Sequence, residues 1–247
     1  MNWIKFLVFV AAIVAVPAAK LPSSFGRCHK SDAQFEDCLR KNIEGAIHAL
    51  AKGAPQLGLN RLEPLEIPSL TIGQGTGPVQ VEQNFHDVLI HGLTGSKVEA
   101  ATADLEKNLI TATSLTPELR LEAKYDMSGR VLLLPMVGKG PCNVTLLNTR
   151  INHRIALEQY EKNGSAYWKV KAFNVIMKPG KVTYKFDNLF DGQKQLGDEI
   201  NKVLNDNWSE VFTDVKDGYE KSFGLIFQDL AERVFSRVAL KDVFYLD

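Results

Sequence analysis

The residues able to do chemistry are present, but not at the spacings that chemistry needs. The chain of 247 residues carries five histidines, His29, His48, His86, His91 and His153, and no two show the His-Glu-x-x-His spacing that places two imidazoles and a base on one helix face. His86 and His91 lie in an extended segment, where an odd separation points them to opposite faces unless a bulge intervenes. They read as satisfied strand or surface histidines. There is no Gly-x-Ser-x-Gly elbow to present a nucleophilic serine. Gly138-Lys139-Gly140 lacks the helix and the further glycine of a phosphate loop and reads as a turn. Asp198, Glu199, Lys202, Glu210, Lys216 and Asp217 read as the solvated face of a helix rather than as paired carboxylates. The expectation is a protein that is not an enzyme and takes no metal and no cofactor.

The cysteines and the N-terminus point to an oxidising compartment. Residues 6–16 (FLVFVAAIVAV) follow Lys5 and precede Pro17, Ala18 and Ala19, the pattern of a secretory leader cut after Ala18 or Ala19. The run is too short to cross a bilayer, which takes about 20 apolar residues, and no later segment is apolar enough, so stable membrane insertion is not expected. The expected domain boundaries are 1–19 for the leader and 20–247 for one domain. Of the three cysteines, Cys28 and Cys38 are the natural disulfide, being close in sequence, and Cys142 is the odd thiol, read as a small buried hydrophobe. Sequons fall at Asn143, Asn163 and Asn207. Asn163 sits in a turn sequence and is the best glycan acceptor, Asn143, in a strand, is the second candidate, and Asn207 on a helix is expected to carry little. Basic and acidic residues balance at 29 each and the cationic ones are scattered, which gives no pull toward nucleic acid.

These residues must be positioned by an α+β framework. A helix is expected after Ser31-Asp32, through Phe35, Leu39, Ile43 and Ile47, followed by a proline-bearing connector over 57–68. Strands dominate from Val79: 79–93 alternates with a slip at His86-Asp87 that suggests a bulge, and 119–125 alternates strictly. The stretch 126–129 reads as a turn, and Lys162-Asn163-Gly164 as the turn of a hairpin between 144–160 and 167–177. From 193 to 234 the apolar residues recur every three or four positions, one long amphipathic helix of roughly 60 Å. Gly218 and Gly224 inside it mark close packing, a mild bend or a break. Such a stripe needs a long mostly antiparallel sheet around it, and that arrangement can leave an elongated apolar cavity.

An ordered set of motifs then carries a resemblance. The early Cys28/Cys38 pair, Leu59-Asn60-Arg61-Leu62-Glu63-Pro64-Leu65, Gly138-Lys139-Gly140, Leu189-Phe190-Asp191-Gly192, Asn205-Asp206-Asn207-Trp208, Ala231-Glu232-Arg233-Val234-Phe235 and Leu240-Lys241-Asp242-Val243-Phe244 together resemble the insect takeout and juvenile-hormone-binding family over the whole mature chain. The resemblance implies a tubular lipid-binding fold: a highly curved sheet wrapped around a long C-terminal helix in an elongated domain, with an internal apolar tunnel for a hydrophobic ligand. The haemolymph hormone carriers have a second disulfide. Cys142 has no partner for one, so the chain is more similar to the takeout branch.

The function expected is secreted, non-covalent carriage of a small lipophilic molecule such as a terpenoid hormone or a fatty-acid-like lipid. Expected lining residues on the helix are Leu204, Trp208, Val211, Phe212, Val215, Tyr219, Phe223 and Phe227, and on the strands Phe85, Val88, Tyr125, Leu133, Phe173, Val175 and Tyr184. Trp208 and Tyr219 are candidates for a polar handle in an apolar wall. The alternative is an interaction protein that acts through a protein receptor or carrier partner, with its cavity filled.

Overall fold

Two strands of unusual length organise the sheet. The computed structural model describes residues 19–73, 77, 79–131 and 134–246. In chain order its main elements are β1 (Cys28–His29), α1 (Phe35–Ala49), β2 (Leu65–Ile72), β3 (Val79–His91), β4 (Lys97–Asp104), β5 (Leu109–Val131), β6 (Leu134–Lys162), β7 (Ser165–Lys178), β8 (Lys181–Phe186), α2 (Lys194–Asp206), α3 (Trp208–Phe235), the single turn α4 (Leu240–Val243) and β9 (Phe244–Tyr245). Residues 1–18 of the expected leader and the lining candidate Leu133 lie outside the described residues. β5 and β6, of 23 and 29 residues, form one antiparallel hairpin in register from Val131↔Leu134 to Leu109↔Ala156. At about 3.3 Å per residue β6 would reach roughly 95 Å if straight, and its right-handed twist makes a ribbon of that length curve.

Each outer edge of this hairpin is covered by two shorter strands laid end to end. β3 and then β4 run along β5, from Val79↔Val131 to Asp104↔Leu109. β7 and then β8 run along β6, from Lys162↔Ser165 to Cys142↔Phe186. β2 adds a further antiparallel edge to β3, and β1 pairs separately with β9. The Asn163-Gly164 turn joins β6 to β7 with φ of 51° and 71°, the pair of positive values that a two-residue hairpin matched to strand twist requires. The slip in β3 is a bulge between His86 and Leu89, with Asp87 at φ 52°. It changes the parity of the strand, so His86 and His91 both turn away from the core, yet they do not meet: His91 lies beside Glu122 and Glu63.

The inner face of the sheet wraps α2 and α3. The main core holds Phe85, Val88 and Tyr125 from strands against Leu204, Val211, Phe212, Val215, Tyr219 and Phe223 from the helices. The helix breaks at Asn207 rather than at a glycine. Asn207 takes φ −110° and its side-chain amide donates to the Val203 carbonyl oxygen at 2.8 Å, the local competition that disfavours asparagine inside helices. Gly218 and Gly224 instead mark close packing. A Cβ at Gly224 would stand 2.6 Å from the Phe173 carbonyl oxygen of β7, and one at Gly218 2.8 Å from Ile72 of β2.

The helices also seal sheet edges through polar side chains. On α3, Glu220 accepts from the Met177 amide at 2.8 Å and Glu232 from the Val170 amide at 2.6 Å, both on β7. Asp214 accepts from the amides of Gly77 and Val79 where β3 begins, and Glu44 of α1 accepts from Val98 of β4. On α2, Asn201 brackets Phe186 and Asn205 brackets Tyr184, each accepting from the backbone amide of β8 and donating to the carbonyl of the same residue. Asparagines four apart on a helix match strand residues two apart, so α2 stands in for a neighbouring strand. Replacing Asn205 by alanine is expected to cost about 1–2 kcal/mol, because the groove beside β8 lets water reach the freed backbone. Urea unfolding and amide exchange at Tyr184 would read it; unchanged exchange would show that the bracket is redundant.

A second cluster closes one end. The Cys28–Cys38 disulfide, Leu39 of α1, Trp168 of β7, and Leu240 and Phe244 near the C-terminus pack together there. Three expectations about the sheet are corrected. Residues 126–129 and Gly138-Lys139-Gly140 are strand, not turn, because the hairpin reverses between Val131 and Leu134. The glycine pair instead lets the β8–α2 connector cross the sheet, where a Cβ at Gly138 would meet the Tyr125 hydroxyl and Leu189. The end of the proline-bearing connector, from Leu65, is β2; Pro68 sits on this edge strand, where its missing N–H is tolerated.

Candidate functional site

An apolar cavity lies between the sheet and the junction of α2 with α3. It is walled by Val79, Val81 and Gln83 of β3, Met127 and Val131 of β5, Met136 of β6, Tyr184 and Phe186 of β8, and Leu204, Val211 and Val215 of the helices. Its volume is about 20 Å³, room for one water. Of the fourteen lining candidates that are described, Tyr184, Leu204, Val211 and Val215 reach this cavity. The other ten, Phe85, Val88, Tyr125, Phe173, Val175, Trp208, Phe212, Tyr219, Phe223 and Phe227, belong to or pack against the same main core. In this structure these side chains pack into one core where an open tunnel was expected. An aromatic group continues toward the far end, where Phe173, Phe223 and Phe227 lie close together and His153 faces Phe173 and Phe227.

The cavity has one polar corner. Tyr219 is buried and donates its hydroxyl to the Gln83 carboxamide oxygen at 3.3 Å. Tyr184 is buried, and its hydroxyl has no hydrogen-bond partner among the described residues. Burial pushes both phenols well above their ordinary range, so they are neutral donors. Burial also pushes the free Cys142 thiol up to about 12, which leaves it inert as a nucleophile. Trp208, the other expected handle, is only packed against the core from the start of α3. Sequence reasoning missed Gln83. The signal was there: it occupies the inward phase of Val79, Val81, Gln83 and Phe85, where a polar residue needs a buried partner.

A much larger opening of about 760 Å³ lies outside this interior, between α2 and β8. Its walls include Asn143, Thr145, Thr183, Lys185, Asp187, Lys194, Asp198, Asn201 and Asn205. Tyr184, Phe186 and Leu189 line it as well, so its walls are mixed, polar and apolar. Asn143 is also mid-sheet, between Glu122 of β5 and Lys185 of β8, whereas Asn163 is exposed on its turn. Among the described residues no three histidine, cysteine or acidic side chains come together as metal ligands, and no helix is long and apolar enough to cross a membrane.

The sequence model of the haemolymph juvenile hormone binding protein family matches residues 6–245. The chain belongs to this family. A family relative, the circadian clock-controlled protein daywake of Drosophila yakuba, is 28% identical over 231 residues, 90% of this chain and 88% of its own. A putative beta-carotene-binding protein of Schistocerca gregaria is 22% identical over 217 residues, 87% of this chain and 85% of its own. The crystal structure of Epiphyas postvittana Takeout 1 superposes with a TM-score of 0.79 at 20% identity, covering 89% of this chain and 99% of that one. The juvenile hormone binding fold, with its curved antiparallel sheet around a C-terminal helix, is thereby shown for this chain.

Proposed function

We propose that this chain is a secreted carrier that binds a small lipophilic molecule without reacting with it, in the space between the curved sheet and the α2–α3 junction. One observation carries the reading: an apolar cavity with a single polar corner, in a member of a binding-protein family. The names of the relatives, one a hormone-binding family and one a putative carotene binder, support a lipophilic ligand. The leader-like segment at 6–16 and the disulfide support secretion, with a glycan at Asn163.

Removal of apolar surface from water drives the binding. A ligand burying about 400 Å² gains roughly 10 kcal/mol, and association costs about 4 kcal/mol or more of it, which leaves about 6 kcal/mol, a Kd of some tens of micromolar; a ligand that buries more binds tighter. A cavity of about 20 Å³ is far below the roughly 300 Å³ of ordinary ligand sites, so uptake parts the wall. Met127 and Met136 are unbranched and adaptable, and the helix is already divided at Asn207 beside Leu204 and Val211. The nearly filled cavity is also the observation that favours the other reading, a protein that acts through a protein partner.

Native mass spectrometry of the protein secreted from its own source, followed by denaturation and lipid identification, separates the two. A stoichiometric lipid mass is expected. A protein that is empty and takes up nothing from a panel of fatty acids, terpenoids and prenylquinones would overturn the carrier and leave the partner reading.

A further inference from the structure

The large opening between α2 and β8 holds one of the three sequons. On β6, Asn143 and Thr145 alternate with Cys142, Val144 and Leu146 of the main core, so they lie on the outer face of the sheet, and both border the opening. Resting only on the secretion part of the proposed function, we infer that Asn143 carries an N-linked glycan whose first sugars lie in this groove. In the secretory pathway the Asn143 amide nitrogen displaces the diphosphate of a lipid-linked oligosaccharide from the anomeric carbon of its first sugar. A C–N bond forms, the C–O bond to the departing diphosphate breaks, and the nitrogen gives up one proton. The nascent chain reacts before β6 is paired, so a mid-sheet position is no bar to the transfer. What the fold must supply afterwards is room for a bulky, hydrated group. The groove has it: about 760 Å³, within the roughly 300–1,000 Å³ of ordinary ligand sites.

The walls favour a tethered occupant over a free one. Asn201 and Asn205 already engage both ends of their carboxamides with the backbone of β8 and of their own helix. Lys194 and Asp198 pair with each other across one helical turn. Few groups remain to capture a polar molecule from solution. A sugar joined to Asn143 needs little affinity of its own, because a short link holds it at an effective concentration of about millimolar. The mixed walls suit such a group, which carries hydroxyls around its rim and an apolar C–H face: Thr145, Thr183 and Lys185 offer hydrogen bonds, and Leu189 offers apolar surface. The Asn143 carboxamide oxygen has no hydrogen-bond partner among the described residues, so the sheet does not hold the side chain through it.

The test treats the full-length protein, secreted by eukaryotic cells, with a peptide N-glycosidase, which leaves aspartate wherever it frees a glycosylated asparagine. Peptide mass spectrometry then reads position 143. The glycan is expected there, and Asn143→Gln and Thr145→Ala should each remove the same mass from the secreted chain. Release from the native protein is expected to be about tenfold slower than from the denatured chain, since the seated sugars hide the bond. Thr183→Trp places a bulky ring on the strand position paired with Thr145 and fills the groove; it should raise the native rate severalfold, with the melting curve checking that the variant is folded. A secreted chain with Asn143 bare would overturn this inference alone. Equal native and denatured rates, or a native rate that Thr183→Trp leaves unchanged, would overturn the seat in the groove. A chain that is never secreted would overturn the secretion reading and this inference with it.

Discussion

Acidification between pH 6.5 and about 4 is expected to remove about 3 kcal/mol of folding stability through His153 alone. The side chain lies on β6 with its ring edge-on to Phe173 at 5.9 Å and tilted against Phe227 at 6.0 Å, and its Nε2 meets the Ser114 hydroxyl at 2.9 Å. Burial in this aromatic setting disfavours the imidazolium and lowers the pKa from 6.5 to about 4. Above pH 6.5 both folded and unfolded chains hold a neutral imidazole, and nothing is lost. Between 6.5 and 4 the unfolded chain takes up a proton that the folded chain refuses, so stability falls with pH; below about 4 both are protonated and the loss levels off. The exposed carboxylates Asp37, Asp87, Glu99 and Asp104 are held below their ordinary values by hydrogen bonds from Lys41, Lys124, Arg150 and Lys107, so their contribution is lost in a lower window. Urea titrations from pH 7 to 4 on the wild type and on His153→Gln isolate the effect. Parallel curves for the two proteins would show that His153 titrates normally.

Trp168→Ala is expected to cost about 3–5 kcal/mol and to lower the melting temperature by roughly 10 °C. Trp168 is buried in the end cluster, edge-on to Phe235 at 5.5 Å and to Phe244 at 5.8 Å, with its indole N–H donating to the Asn108 carboxamide at 2.8 Å. Removing it leaves a void under Phe244, and Phe244 belongs to β9, which pairs with Cys28 and His29 in β1. The two ends of the chain should therefore loosen together. Limited proteolysis near residues 240–246, alongside the melting curve, would detect this. Trp168→Phe should lose the Asn108 hydrogen bond but keep most of the packing. Alanine and phenylalanine variants of equal stability would show that the ring fills no essential space.

Much of the framework was legible because it rests on apolar period and turn chemistry. The helical stripe from Leu196 to Val234, the Asn163-Gly164 hairpin and the bulge at Asp87 all leave marks in the local sequence. β4 and the first part of β5 left little, since Ala100, Ala101, Thr102 and Ala103 facing Ile110, Thr111, Ala112 and Thr113 alternate too weakly in hydropathy. The break at Asn207 was hidden because the apolar stripe runs through it unchanged. In the candidate site the apolar residues could be chosen from their phase, but phase cannot say which of them border a void. Gln83 and Tyr184 gain their meaning only when β3 and β8, distant in sequence, face each other across the helix.

The carboxylates and amides that tie the helices to the sheet also govern how this protein meets copies of itself. A bare strand edge is a template for another strand, and it is the usual start of fibrous aggregation. Here β7 has amides bonded to Glu220 and Glu232, β8 is bracketed by Asn201 and Asn205, and β4 gives its Val98 amide to Glu44. The remaining border, β2, carries Pro68 and the exposed Glu66, two residues poorly suited to recruiting a new strand. A sheet that opens to load an oily cargo while keeping these bonds can expose apolar surface without also offering a nucleus for polymerisation.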